Sequence, residues 1–385
     1  MLGTSRYLRV MNERLLLERL QELGPSSRVE LARRTGLSKP TVSAALSGLA
    51  DAGLVEVVGQ LAGKPGPVSA LYDLRPDAVY VLGVDIGREW IRVAVAGSRG
   101  QFLARRDGPN SARTAAELVR RAGKLARDAA AEAGVLWEAL TCAVVGGPGV
   151  FDPAAGRVEF APNLPGWGQT GLLDRLRQAL GVDLVLENDV NLAAVGEHAY
   201  GQGKGKENFV LVSIGTGVGM GIVIGGKLYV GARGAAGEIS YLPTGLAQTD
   251  PETIEHGPTE SEVAGPSIAR AAQAAGLRLT TAKEIFAAAA DGDSAAMAMV
   301  EAEGRRIGGL VVAVAAVLDP ELVVLSGGVG KNVDLLGNAI DKSIAELGPL
   351  RPRVVGSELG DSGVLFGAIA RALDRAWSLI FDRRG

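Results

Sequence analysis

A single cysteine, Cys142, and two histidines, His198 and His256, are all that 385 residues contain of either type. One thiol excludes an internal disulfide and fits a reducing, cytoplasmic setting. So few ligands exclude a Cys/His structural zinc site within one chain. Long apolar runs are also missing. The longest, Ile307 to Leu318, stops at Asp319, short of the roughly 20 residues that cross a bilayer. No basic segment followed by an apolar stretch opens the chain, so neither secretion nor a membrane partner is expected. An excess of one charge is lacking too, the net charge being −3. That figure hides an asymmetry: residues 1–66 hold nine Lys/Arg against six Asp/Glu, and the remainder holds 31 against 37. Only the N-terminal segment has the sign that suits a polyanion.

What is present is glycine, 54 residues of it, which favours tight turns and close backbone approaches. The length allows two or three domains. Leu15, Leu16, Leu20 and Leu23 predict a helix over 11–23 that ends at Gly24-Pro25. Ser27, three residues before Glu30, predicts a second helix opened by a capping box and closed at Gly36. Ser38 caps a third, with Lys39 and Pro40 in its first turn and Val42, Leu46 and Leu49 on its apolar face. Strands are expected at 54–58 and 70–74, separated by the turn Gly59 to Pro67. Three helices and a hairpin describe a winged helix over 1–77. Its third helix would enter a major groove by its N-terminal end, with Ser38, Lys39, Thr41 and Ser43 as the candidate contacts. Arg28 could hold a phosphate, and Lys64 on the wing could reach the minor groove. A small helical subdomain used only for packing or dimerisation is the alternative.

Beyond Arg75-Pro76-Asp77 the pattern becomes α/β. Strands are expected at 79–86, 90–96 and 101–105, a helix near 113–133, and strands at 140–145 and 182–186. The three-strand opening recurs at 209–215, 221–224 and 227–230, about 128 residues on. This internal repeat implies two similar lobes with a cleft between them, over 78–200 and 201–361, the first completed by a C-terminal helix at 362–382. Ser213-Ile214-Gly215-Thr216-Gly217-Val218-Gly219 joins two strands at a glycine-rich turn whose amides could approach phosphate. Gly327 and Gly328 follow a strand and precede a helix, the usual ligand-bearing position in α/β folds. A carboxylate at Asn188-Asp189 could accept a proton from a sugar hydroxyl; taken alone, the pair fits helix capping better. The rigid loop Pro162-Asn163-Leu164-Pro165-Gly166-Trp167 could present Asn163 and an indole ring to a sugar, or be a simple turn.

These segments resemble the ROK family of repressors, open reading frames and sugar kinases. The resemblance rests on Ala161 to Trp167, Glu187-Asn188-Asp189, Ser213 to Gly221 and Gly231 to Ile239, and covers nearly the whole chain. It implies an actin-like, hexokinase-type (ribonuclease H-like) body, a sugar in the cleft held by Asn163, Asn188, Asp189, Glu238 and Glu260, and a homodimer or dimer of dimers acting on a double-stranded DNA operator. In family kinases the residue matching Asp189 is the catalytic base. Three departures stand out. The kinase opening Asp-x-Gly-Gly-Thr reads Asp85-Ile86-Gly87-Arg88-Glu89-Trp90 here, and a carboxylate at Glu89 would repel ATP phosphates. Arg88 could instead pair with an anion. The His expected after Glu-x-Gly is missing, the chain reading Glu238-Ile239-Ser240-Tyr241. The family's zinc loop has Pro251, Thr253 and Pro258 where cysteines are expected. The resemblance therefore implies a sugar-sensing regulator with no metal and no ATP cofactor. The enzyme rival is a sugar kinase retaining Asp189 as base. A third reading is a regulator that has lost its effector.

Overall fold

In the computed structural model, residues 2–61, 69–152, 157–159, 164, 166–243 and 251–384 are described. The N-terminal unit comprises α1 (Leu2–Leu23), β1 (Ser26–Ser27), α2 (Arg28–Thr35), α3 (Lys39–Asp51), β2 (Val55–Leu61) and β3 (Ser69–Leu74). Helix α1 starts well before the expected residue 11, although Tyr7, Leu8 and Met11 remain exposed. Ion pairs one turn apart, Arg9–Glu13 and Arg14–Glu18, support it in place of burial. The caps fall where expected. The Ser27 hydroxyl accepts the Glu30 amide at 3.2 Å, and Ser38 accepts that of Thr41 at 3.3 Å. The reciprocal half of the capping box at Ser27 is replaced, because the Glu30 carboxylate turns to Arg33 and Arg34. Strand β1 was not foreseen; it pairs with β3, which pairs with β2.

The first lobe holds a meander of β4 (Tyr80–Ile86), β5 (Trp90–Ala96) and β6 (Phe102–Pro109). After α4 (Ala115–Glu132), β7 (Leu140–Gly147) lies parallel to β4. A small hairpin, β8 (Val150–Asp152) with β9 (Arg157–Glu159), precedes α5 (Leu172–Leu180) and the edge strand β10 (Asp183–Asn188). The strand order is β10-β7-β4-β5-β6. Helix α6 (Asp189–Tyr200) then leads to a second sheet. Its strands are β11 (Phe209–Ile214), β12 (Val218–Ile224), β13 (Lys227–Leu228), β14 (Leu322–Ser326) and β15 (Val354–Gly356). Their order, β13-β12-β11-β14-β15, is the same connectivity again, a meander followed by two parallel strands. Between β13 and β14 come α7 (Pro251–His256), α8 (Pro258–Val263), α9 (Gly265–Ala274), α10 (Ala282–Ala290) and α11 (Ser294–Leu318). Helices α12 (Gly327–Gly330) and α13 (Val333–Leu347) flank the approach to β15, and α14 (Gly363–Asp382) closes the chain. Among the described residues, no helix is long and apolar enough to cross a membrane.

Strand β12 begins at Val218, earlier than the expected 221, because its glycines serve packing rather than a loop. A Cβ on Gly221 would sit 2.5 Å from the Ala194 Cβ, and one on Gly219 would sit 3.1 Å from Val190. Helix α6 therefore lies almost on the sheet. Its other side meets α14 with backbone against backbone. A Cβ on Gly367 would fall onto the Leu192 carbonyl, and one on Gly196 onto the Gly363 carbonyl. Helix α14 in turn packs on the first sheet, with Ala368 and Ile369 over Gly83 and the Cys142 thiol 3.1 Å from the Ala372 carbonyl oxygen.

The end of α14 carries the N-terminal unit. Trp377 and Phe381 share one apolar cluster with Leu16, Leu20, Leu46 and Leu74. Just past the helix, Arg384 donates to the Glu13 carboxylate at 2.8 Å and to the Gly48 carbonyl at 3.1 Å. Glu13 is 0% exposed, and a Cβ on Gly48 would overlap its carboxylate. A charge buried within the winged helix is thus matched from the body.

Helix propensity alone favours Gly367→Ala, yet overpacking should make it destabilising by about 3 kcal/mol or more. Gly337→Ala, in α13 with nothing within 4 Å of the new Cβ, should be neutral or stabilising by up to about 1 kcal/mol. Urea unfolding midpoints read both; equal effects would refute the close crossing.

Candidate functional site

The cleft lies where strand ends of both sheets meet the start of α6, with a cavity of about 250 Å³. Asn188 ends β10 and caps α6. Its side chain accepts the Asn191 amide at 3.0 Å and donates to the Gly149 carbonyl at 3.1 Å. Capping and cleft lining are therefore not alternatives here: the cap fixes the turn, and the turn puts Asp189 at the cavity. The Asp189 carboxylate accepts the Val190 amide at 2.8 Å. Glu238 faces it from the second lobe, on a loop set by Gly237, whose φ of +96° and contact with the Met220 carbonyl admit only glycine. Glu260 reaches in from α8. It accepts the Val218 amide at 2.9 Å and lies 3.4 Å from the His256 ring.

Three carboxyl groups line the cleft and a fourth, Asp85, is buried behind it, and each is pushed upward. Burial raises Glu238 to about 7, and the charges of Asp189 and Glu260 add to it. Burial raises Asp189, with the Val190 amide opposing. Glu260 is raised by burial against the Val218 amide and His256. Asp85, at the end of β4, is driven to about 7 by burial, although it pairs with Arg92 at 3.0 Å. Near neutral pH the cleft therefore offers both protonated and ionised carboxyls, which donate to and accept from hydroxyl groups.

The expected nucleotide positions divide. Gly87, Gly215, Thr216 and Gly217 line the cavity. The turn Gly215-Thr216-Gly217 closes β11 onto β12, with the Gly215 amide bonding the Gly217 carbonyl at 2.9 Å. Asp85, Gly327 and Gly328 do not border the cavity. Asp85 is buried behind it, held by Arg92. Gly327 adopts φ +81° against Ile214, whose carbonyl oxygen would be 2.5 Å from a Cβ, so its glycine is required by packing. Two expectations are corrected. The Trp167 ring is buried against Gly147 with its N–H donated to the Pro148 carbonyl at 2.7 Å, and presents nothing to a ligand. Glu89 borders neither the cleft nor its side cavity. Arg88 borders both, so the edge of the cleft at this turn is cationic and the repulsion argument does not hold. Asn163 and Lys64 lie outside the described residues.

The residues in the zinc-loop region do not fit the metal. Prolines at 251 and 258 carry no donor atom, and among the described residues no three His, Cys, Asp or Glu side chains converge to hold an ion. Hydrogen bonds link the described residues on either side of this segment. The Tyr241 hydroxyl donates to the Glu255 carbonyl at 3.0 Å, and Thr259 donates to that of Leu242 at 3.0 Å. Sequence reasoning missed His256 as the partner of Glu260, because nothing local marks a histidine one turn before it as a cleft residue.

At the N-terminal end of α3, Ser38 and Lys39 are exposed, while Thr41 and Ser43 are half-buried. The Thr41 and Ser38 hydroxyls are 2.8 Å apart. Arg28 stacks over the Tyr72 ring, 5.0 Å from its centroid, and bonds the Tyr72 hydroxyl.

A winged helix fused to a two-lobed α/β body with an acid-lined cleft defines a hexokinase-type fold carrying a helix-turn-helix module. The sequence model of the ROK family matches residues 81–375, and the chain belongs to that family. The MarR family model matches residues 10–62. The chain is similar to the DNA-binding transcriptional dual regulator NagC of Escherichia coli strain K12, at 24% identity over 355 residues, 89% of this chain and 86% of the relative. It is also similar to a glucokinase of Streptomyces coelicolor, at 28% identity over 312 residues, 74% of this chain and 95% of the relative. Among solved structures, a ROK family transcriptional regulator homologous to the E. coli MLC protein superposes with a TM-score of 0.78 at 21% identity, over 98% of this chain and 100% of the other. The ROK family glucokinase of Streptomyces griseus, solved with glucose and AMPPNP, gives 0.65 at 27% identity, over 77% and 99%.

A carboxyl whose folded pKa is raised contributes stability that is present below its unfolded pKa and lost as pH rises through the folded value. The cleft should therefore cost stability between about pH 5 and pH 8. Glu238→Gln should make the fall in thermal midpoint over that range shallower. Parallel curves for the two proteins would contradict the raised Glu238.

Proposed function

We propose that the chain is a DNA-binding transcription regulator that senses a sugar or sugar derivative in the interlobe cleft and does not phosphorylate it. The observation that carries this reading is the continuous mechanical path from cleft to reader. Asn188 and Asp189 sit at the start of α6, α6 crosses α14 at backbone contact, and Arg384, two residues past the end of α14, pairs with Glu13 inside the winged helix. Asn188, Asp189, Glu238 and Glu260 hold the sugar hydroxyls, with Asn163 as the family-implied fifth contact. Lobe closure then tilts α6 against α14 and moves the reader. In a homodimer or dimer of dimers, this shifts two recognition helices out of register with a twofold operator. Moving the population from mostly competent to mostly incompetent takes roughly 5 kcal/mol of preference for one state. Several hydroxyl hydrogen bonds made only in the closed form supply that.

DNA contact falls to Ser38, Lys39, Thr41 and Ser43, with Arg28 toward a phosphate and Lys64 on the wing. The protein works without zinc, since Glu260 is braced by the Val218 amide and His256. It works without ATP, since Asp85 is committed to Arg92. Kinship to glucokinases, together with Asp189 at the cavity, supports the enzymatic alternative.

Lys39→Ala combined with Thr41→Ala should weaken operator binding by about 1–3 kcal/mol with the melting temperature preserved. Unchanged affinity in a gel-shift titration would remove α3 from the interface. An ATP-coupled assay across a panel of sugars should show no turnover. Turnover that Asp189→Asn abolishes would make the protein a kinase.

A further inference from the structure

The N-terminal unit is rich in arginine, and most of that charge is neutralised in place. Arg9 pairs with Glu13, Arg14 with Glu18 and Arg19 with Glu22, while Arg33 and Arg34 share Glu30. Arg6 donates to the Arg384 carbonyl. Arg28 differs from all of these. Its hydrogen bond goes to the Tyr72 hydroxyl, its guanidinium lies 5.0 Å from the centre of that ring, and no carboxylate among the described residues pairs with it.

A phenol orients a guanidinium without cancelling its charge. The Tyr72 ring is 7% exposed and packs in the apolar cluster with Leu31 and Leu46, so its hydroxyl is a fixed point. Arg28 spends one N–H on that hydroxyl, and the rest of its five-donor fork stays available at an exposed position. The sheet places this group on the wing side. Strand β1 runs antiparallel to β3, with Ser26 opposite Tyr72 and Ser27 opposite Leu71. Continuing in that direction, the chain enters α2 at Arg28, toward the ends of β2 and β3 where Leu61 pairs with Ser69 and the wing begins. In a helix-turn-helix the helix before the recognition helix crosses the DNA backbone. A charged fork on that helix meets phosphate oxygens, to which a guanidinium makes charge-assisted bonds.

We infer that Tyr72 is a positioning residue for DNA binding, holding the Arg28 guanidinium oriented and still charged for one backbone phosphate of the bound duplex. The inference rests on the reading of the N-terminal unit as a DNA reader. The contact carries no sequence information. It fixes where α2 crosses the backbone, and with that the register in which α3 meets the bases.

Fluorescence anisotropy of the full-length protein, from about 50 to 200 mM salt, tests it on two duplexes. One is enriched by the wild-type protein from a random-sequence library, and the other is a random-sequence duplex of equal length. Arg28→Gln should weaken binding to both by a similar factor and make the slope of log affinity against log salt shallower by about one. Tyr72→Phe, which keeps the ring and removes the hydroxyl, should weaken both by about two- to ten-fold. In an Arg28→Gln background it should cost nothing more. Additive losses make Tyr72 a structural residue only and overturn the inference. So does an Arg28→Gln slope equal to that of the wild type, or a loss confined to the enriched duplex. Should Tyr72→Phe lower the melting temperature, Arg28→Lys takes its place: an unchanged slope with weakened binding supports the oriented fork, and full affinity overturns it. A wild-type protein that enriches no duplex overturns the DNA-reading function and the inference with it.

Discussion

Two helices touching at their backbones hold the body together. Gly196 and Gly363 meet at one turn of the α6–α14 crossing, and Gly367 meets the Leu192 carbonyl at the next. Each helix belongs to a different sheet: α14 lies on β4 and β7, while α6 lies on β12 through Gly219 and Gly221. The relative position of the lobes is thus set at a contact where backbone meets backbone, with Leu192, Ala193 and Val364 packed around it. Close-packed interfaces of this kind shift as units instead of deforming gradually. That property suits a sensor, because small displacements at one end of α6 reappear along α14.

The cleft and its edge have opposite electrostatic characters, and the difference arises from short stretches of chain. Asp189, Glu238 and Glu260 come from three separate segments; burial raises the pKa of each, and at Glu238 the charges of Asp189 and Glu260 add to it. Arg88 stands at the rim on a two-residue turn. Asp85, which begins the same turn, is withdrawn into a pair with Arg92. A single loop therefore sets a cation at the edge of a cleft that Asp189, Glu238 and Glu260 line with carboxyl groups.

Much of this was legible in the sequence, where local chemistry and tertiary demands coincide. Ser27 and Ser38 cap helices wherever they occur, and the recurrence of the three-strand opening announced two sheets of the same connectivity. Reading failed where distant packing overruled local signals. Gly219 looked like a loop residue and is a strand residue, cleared for α6 together with Gly221. Trp167 looked like a sugar platform and fills the space above Gly147. Glu89 looked like the decisive charge at its turn, but only Arg88 borders the cleft, a matter of side-chain direction that no one-dimensional pattern contains. The role of Arg384 was invisible because its partner Glu13 lies 371 residues away.

That separation orders events during synthesis. A ribosome adding roughly 5–20 residues per second finishes the winged helix roughly fifteen to sixty seconds before Arg384 exists. Through that interval the Glu13 carboxylate, facing Gly48 of α3, is paired among the described residues with Arg9 alone. The module that reads DNA is made first and electrostatically completed last, so a nascent chain holds an unfinished reader until its sensor has been translated.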